Sequence, residues 1–245
     1  MSEKSRIEWT ETTWNPVTGC TKISKGCLNC YAERLALRLK AMGVKKYSNG
    51  FDVTIHRKEL CRPYEWRQPS RIFVNSMGDL FHDDVPLSFI EDVFRVMNDN
   101  KAHVFQILTK RSERLLEISD KLNWSENIWM GVTIEAKEYL YRLKHLTSTR
   151  AKVKFISFEP LLSDMGSIDL QGADWVIVGG ESGPMCRQVL PRWIEKIRDI
   201  CIESNIPFFF KQWGGVFRTK SGRLLDGKTW DDIPAYNNTG TLAYG

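Results

Sequence analysis

Hydrophobic positions along the chain follow two alternating patterns. Short β-branched or aromatic runs recur at FDVTI (51–55), RIFVNS (71–76), HVFQILT (103–109), NIWMGVTI (127–134), VKFISF (153–158), DWVIVGG (174–180) and IPFFFKQW (206–213). Between them lie segments of helical period: YAERLALRLKAMG (31–43), PLSFIEDVFRVMNDN (86–100), SERLLEISDKL (112–122), KEYLYRLKHLTS (137–148) and PRWIEKIRDICIESN (191–205). The first kind predicts buried strands, the second amphipathic helices. Ser112 and Glu113 read as a helix start, and Pro86 and Pro191 as first-turn prolines.

Strands apolar on both faces that alternate with helices predict a parallel sheet covered by helices. The fold class expected is α/β: a complete or partial (β/α) barrel with parallel strands, an N-terminal cysteine loop and a C-terminal capping hairpin. A doubly wound open sheet is the alternative, but no G-x-G-x-x-G follows the first strand. One domain over 1–245 is expected, with the cluster loop and first helix in 1–50, βα units in 51–213 and a cap in 214–245. VFRTKSGRLLDGKTW reads as a hairpin turning at Ser221-Gly222, and the last ten residues read as loosely ordered.

Composition narrows the class. The chain has 245 residues, 42% of them hydrophobic, which excludes a disordered or fibrous protein. No apolar run reaches the roughly 18–20 residues of a membrane span, and the first residues have no signal-peptide core, so a cytoplasmic protein is expected. Charge is uneven: residues 1–75 carry 14 Lys+Arg against 7 Asp+Glu, whereas the remainder carries 21 against 23. A basic third suits an anionic partner such as nucleic acid. Arg34, Arg38, Lys45, Lys46, Arg57, Arg62, Arg67 and Arg71 are interleaved there with Tyr47, Tyr64 and Trp66. A solvated basic surface is the plainer reading.

Three of the six cysteines, Cys20, Cys27 and Cys30, fall in the same third. A pair spaced Cys-x2-Cys, with a third thiol one short loop away, suits a metal centre. The helix at 31–43 starts directly after, and its N-terminal dipole favours thiolates. Structural zinc needs a fourth ligand; His56, Cys61 and His82 are the candidates. A [4Fe–4S] cluster on three cysteines leaves one iron open for a ligand. Iron–sulfur, zinc and metal-free readings all remain at this point. Trp9 and Trp14 flank the loop and would shield such a centre.

Strand ends are polar throughout, where a β/α barrel keeps its chemistry. Asp79, Lys110, Glu135, Glu159, Glu181 and Lys211 would converge on one rim, with Gly78, Gly131, Gly179 and Gly180 admitting a ligand to the backbone.

Cys20-x6-Cys27-x2-Cys30 ahead of such a barrel resembles the radical S-adenosylmethionine superfamily, and Asn15-Pro16, Gly19 and Thr109-Lys110 resemble its spore photoproduct lyase-like branch. WNPVTGC, GC.NCYA, NSMGDLFH, LTKR, FEPLL, GGESG, FFKQWGG and LDGKTWD resemble a phage- and bacteria-associated three-Cys-motif family over roughly residues 5–234. The superfamily's spacing is Cys-x3-Cys-x2-Cys, with an aromatic before the last cysteine; here the first gap is six and Asn29 holds that place.

The resemblance implies that Cys20, Cys27 and Cys30 ligate a [4Fe–4S] cluster whose open iron chelates S-adenosylmethionine, yielding a 5′-deoxyadenosyl radical. Ser76 and Asp79 would bind the cofactor, Asp79 at its amino group. Thr109 and Lys110 would meet its carboxylate or ribose, and Thr133 and Glu135 its ribose. Glu159 and Glu181 would face substrate, with Cys186 or Tyr31 as hydrogen-atom donor. The substrate implied is a nucleic-acid base, as in pyrimidine-dimer repair or base modification, with DNA as partner and flavodoxin or ferredoxin as electron donor. A peptide or small-molecule substrate is one alternative. A non-enzymatic zinc or iron–sulfur nucleic-acid-binding module, working with a protein partner, is another.

Overall fold

The computed structural model of the chain describes residue 5, residues 7–217 and residues 222–235. Strand β1 (Thr12–Trp14) leads into a short ribbon, β2 (Val17–Thr18), and then into the cysteine loop. Helix α1 (Tyr31–Ala41) follows, then β3 (Thr54–Ile55), a 3-10 helix (Arg57–Glu65), β4 (Arg71–Val74), α2 (Leu87–Asp99), β5 (Val104–Thr109), α3 (Ser112–Ile118) and β6 (Ile128–Thr133). The chain continues through α4 (Tyr141–Thr147), β7 (Val153–Phe158), β8 (Trp175–Gly179), α5 (Pro191–Glu203) and β9 (Phe208–Gln212).

Seven strands form one sheet in the order β1-β4-β5-β6-β7-β8-β9, and every pairing is parallel. The order follows the chain without reversing, so the doubly wound alternative is set aside and a partial β/α barrel is found. Curvature is visible in the packing. Trp9 meets Phe73 of β4, Phe155 of β7 and Trp175 of β8, with ring centroids 4.6, 6.2 and 6.1 Å away. Distant strands share one inner ring only if the sheet curls into a half-barrel.

Two cores result. The inner face packs Trp9, Phe73, Trp129, Phe155, Trp175, Ile177 and Phe209. The outer face packs Ile72, Val74, Phe105, Ile107, Ile156 and Val178 against helix residues such as Phe89, Val93, Leu143 and Ile194. This two-sided burial explains the continuous apolar strands.

Some expectations need correction. FDVTI (51–55) is not a barrel strand: only Thr54 and Ile55 are extended, paired antiparallel with Val17 and Thr18 in a separate ribbon. The first barrel strand is Thr12–Trp14, whose three residues are too few to give a period-2 signal. Pro191 opens its helix, whereas Pro86 stands one place before α2. The proposed hairpin turn at Ser221 and the last ten residues lie outside the described residues. Trp230 and Asp231 do cap an edge: the Phe210 N–H donates to Trp230 O at 2.9 Å, and Phe209 of β9 bridges Asp231 antiparallel. Edge strands so covered resist pairing with other chains.

Candidate functional site

Side chains at the C-terminal ends of the strands open on a cavity of about 290 Å³. Trp9, Phe73 and Leu108 make its apolar wall; Lys110, Thr133, Ser157, Glu159, Glu181, Lys211 and Gln212 make its polar one. Cys30 and Tyr31 reach it from the cysteine loop and α1. A larger, open groove of about 550 Å³ runs over Lys46 and residues 55–59. It contains no cysteine and none of the strand-end residues.

Thus Cys30, Tyr31, Lys110, Thr133, Glu159 and Glu181 gather where expected. Lys110 has no carboxylate partner for its ammonium among the described residues; its backbone N–H donates to Asp79 at 3.2 Å. The ammonium of Lys211 is 2.5 Å from Glu159 Oε1. Tyr31 donates its hydroxyl to the Ser76 carbonyl at 2.5 Å, and burial of that hydroxyl pushes the phenol up although the residue as a whole is half exposed.

Several expected contact residues are instead engaged by the protein. Asp79 is buried and accepts from Thr109 Oγ1 at 2.7 and 2.9 Å, Phe81 N–H at 3.0 Å and Lys110 N–H, with Arg111 3.7 Å away. These bonds fasten the segment after β4 to the end of β5. Ser76 Oγ donates to Asn15 Oδ1 at 3.2 Å. Glu135 is completely buried, paired with Arg142 Nη1 at 2.8 Å and hydrogen-bonded by Ser24. Glu181 receives Arg187 Nε and Nη2 at 2.9 and 2.6 Å and Asn29 Nδ2 at 3.0 Å. Burial would raise its carboxyl, but these donors outweigh it and hold the group below its ordinary value. Cys186 is not among the residues that line the cavity, but it stands between Met185, whose carbonyl accepts from Asn29, and Arg187, whose N–H donates to Glu181.

Of the four glycines expected to admit a ligand, Gly180 lines the cavity; Gly78, Gly131 and Gly180 are close-packed by the protein itself, and Gly179 has ordinary clearance. A Cβ on Gly78 would meet Gly19 O at 2.9 Å, one on Gly131 the Phe155 ring at 2.5 Å, one on Gly179 the Glu159 carboxyl at 3.4 Å and one on Gly180 Trp213 O at 2.0 Å. Nor does Trp14 cover the cysteines: it packs in the outer core and donates to Glu59 O at 2.8 Å, while Trp9 alone of the pair lines the cavity. The basic, aromatic segment is divided too, with Tyr47 buried and Lys46, Arg57 and Arg71 paired to Glu59, Asp92 and Glu11.

The three loop cysteines are free and half-buried. Burial and the Asp79 charge push the Cys20 thiol up to about 12, against Arg111 Nη1 at 3.4 Å from its sulfur. Cys27 goes the other way: burial opposes its thiolate, but the Lys110 charge and the Ser24 hydroxyl outweigh that and lower it. Cys30 caps α1. Among the described residues no group of three His, Cys, Asp or Glu is gathered to hold a metal ion.

Two of the three proposed fourth ligands are committed elsewhere. His82 Nδ1 accepts the Asp84 N–H at 3.1 Å, so its proton is on Nε2, which bonds Thr21 Oγ1 at 2.8 Å. His56 Nε2 bonds Thr18 Oγ1 at 2.8 Å, and Cys61 is exposed in the 3-10 helix. Two cations stand by the loop thiols, Arg111 beside Cys20 and Lys110 acting by charge on Cys27, and a donor set of three thiols is the chemistry of an iron–sulfur site with one open iron.

Arg111, Arg142, Arg187 and Ser24 escaped sequence reasoning. The available signal was an arginine beside or soon after each polar strand end: Lys110 then Arg111, Glu135 then Arg142, Glu181 then Arg187.

A family model described as "Protein of unknown function (DUF5131)" matches residues 4–234. No curated protein matches the chain. Among solved structures, a doubly substituted spore photoproduct lyase with bound AdoMet and dinucleoside spore photoproduct is similar, with a TM-score of 0.51 and 9% identity over 73% of this chain. A spore photoproduct lyase complexed with dinucleoside spore photoproduct gives a TM-score of 0.47 and 10% identity over the same share. This chain spans 58% of each lyase. At such identity the first likeness speaks for the half-barrel fold alone. No helix among the described residues is long and apolar enough to cross a membrane.

Proposed function

The chain belongs to the family described as "Protein of unknown function (DUF5131)", and we propose that it is a radical S-adenosylmethionine enzyme acting on a nucleic-acid base. One observation carries this reading: a three-cysteine loop and a polar cavity meet at the same mouth, with Cys30 and Lys110, whose ammonium has no carboxylate partner among the described residues, both lining it. The likeness to a lyase fold whose structure holds AdoMet supports it.

Cys20, Cys27 and Cys30 would hold a [4Fe–4S] cluster, which when bound supplies, by reductive cleavage of S-adenosylmethionine, a carbon radical able to take hydrogen from substrate. Lys110 would hold the cofactor's carboxylate by charge. Asp79 and Thr109 would fix the Lys110 backbone rather than touch the cofactor. Thr133 and Ser157 line the cavity from adjacent strands, where ribose hydroxyls would meet them. Trp9 and Phe73 keep water from the apolar side. Glu159 and Lys211 would face substrate as a linked pair. A low-potential donor such as flavodoxin or ferredoxin would supply the electron.

The nucleic-acid half rests on the surface around the mouth. Tyr31, Arg34, Arg38 and Lys45 are exposed on and just after α1. Cations beside a flat ring suit a strand with an unstacked base. The test is to bind the anaerobically reconstituted protein to single-stranded oligonucleotides at two salt concentrations. Affinity should fall at least about tenfold between roughly 50 and 200 mM salt, and Lys110→Ala should weaken S-adenosylmethionine binding about tenfold without changing oligonucleotide binding. Salt-independent oligonucleotide binding would overturn the nucleic-acid substrate and favour a small molecule.

A further inference from the structure

We infer that the barrel rim anchors the cysteine loop at three points, at Cys20, beside Cys27 and at Asn29 next to Cys30, so that the loop's backbone is ordered before anything binds its thiols. The inference rests on the proposed function in taking those thiols as cluster ligands. It makes Glu135 and Glu181 positioning residues rather than contacts for cofactor or substrate.

The first anchor comes from the end of β5. Arg111, 5% exposed, sends Nη1 to Cys20 Sγ at 3.4 Å and Nη2 to Thr21 Oγ1 at 2.7 Å. Asp79 and Asp83 hold the guanidinium from behind at 3.7 and 3.8 Å. His82 grips the same Thr21 hydroxyl.

The second comes from the end of β6. Glu135 accepts from Ser24 Oγ, which is also 3.4 Å from Cys27 Sγ. Arg142 of α4 neutralises the carboxylate and donates to Thr133 O at 2.7 Å, with its guanidinium 4.3 Å over the Tyr139 ring. The Tyr139 hydroxyl accepts the Lys25 N–H at 3.2 Å. Gly26 is required at this approach, because a Cβ there would lie 2.8 Å from Glu135 Oε1.

The third comes from the segment after β8. Glu181 accepts from Asn29, the neighbour of Cys30, and Arg187 Nη2 reaches over to donate to Lys25 O at 2.9 Å. Asn29 also donates to Met185 O at 2.7 Å. The segments after β5, β6 and β8 therefore each hold a different part of the loop, at Cys20, at Ser24 beside Cys27 and at Asn29 beside Cys30. The two carboxylates that do so, Glu135 and Glu181, are 5% exposed or less and take their hydrogen bonds inside the protein, as buried charges require.

The test uses trypsin on the metal-free full-length chain. Lys22 and Lys25 lie inside the loop with side chains 50% and 65% exposed, so backbone order is what shields them. Wild type should resist cleavage there. Ser24→Ala with Asn29→Ala removes the loop's side of two anchors and leaves the Glu135–Arg142 and Glu181–Arg187 pairs intact. Cleavage at Lys22 and Lys25 should rise about tenfold or more with Tm unchanged, and Ser24→Thr, which keeps the hydroxyl, should resist as wild type does. Wild-type cleavage as fast as that of unfolded chain would overturn the inference. So would a double variant no faster than wild type, or one whose Tm falls while all sites open together. A loop that is protected, yet takes up no iron when iron and sulfide are added, would sustain the anchors and overturn the cluster.

Discussion

Glu135 and Arg142 are 0% and 1% exposed, 2.8 Å apart, and sit under the cysteine loop. Removing one member of such a pair leaves a buried charge uncompensated. Arg142→Leu should therefore cost about 3–5 kcal/mol in urea unfolding, while Arg150→Leu, which breaks the exposed pair with Asp120, should cost less than about 1 kcal/mol. Glu181 gives a pH signature. Its folded carboxyl lies below the ordinary value of 4.5, so the stability it contributes is full above that value and is lost as pH falls through the lower folded one. Wild type should lose Tm more steeply than Glu181→Gln below about pH 4.5; parallel slopes would contradict the pairing. At this scale the placement of Cys30 and Lys110 at the cavity was legible, because a cysteine loop and a strand-end ammonium can be located without tertiary context. Asp79, Glu135 and Glu181 were legible as strand-end carboxylates but not in their work, since each is claimed by a donor from another element: Arg111, Arg142 and Arg187.

Among the elements, β4 to β9 were readable because strands buried on both faces carry unbroken apolar runs, as VKFISF does across Val153–Phe158. Helix α2 was readable because Phe89, Ile90, Val93, Phe94 and Met97 keep one buried stripe. Strand β1 was hidden by its three residues, and its place beside β4 is set by long-range pairing of Thr12 with Ile72 and Trp14 with Val74. The edge of β9 is the other feature set by distant chain. Leu225, Trp230 and Ile233 pack back on the barrel, and Trp175 Nε1 donates to Asp232 O at 2.8 Å. A chain lacking residues 222–245 should expose that edge and Trp175, and self-associate in size-exclusion chromatography; a monomer of unchanged Tm would contradict the capping role.

For the whole molecule, the half-barrel brings together parts that lie far apart in sequence. The cysteine loop leaves from beside β1, yet Asn29 bonds Glu181, 152 positions later. A basic first third thereby lies against the rim of a near-neutral barrel. On the proposed function, that geometry would let one mouth serve both a cluster and an anionic substrate. The measurement that tests this most directly is 5′-deoxyadenosine formation by the protein, reconstituted anaerobically with iron and sulfide, then reduced in the presence of S-adenosylmethionine. The account predicts about four irons per chain, as a [4Fe–4S] cluster requires, cofactor cleavage, and loss of both in Cys27→Ala. Stoichiometric zinc, or a reduced cluster that leaves S-adenosylmethionine intact, would contradict it.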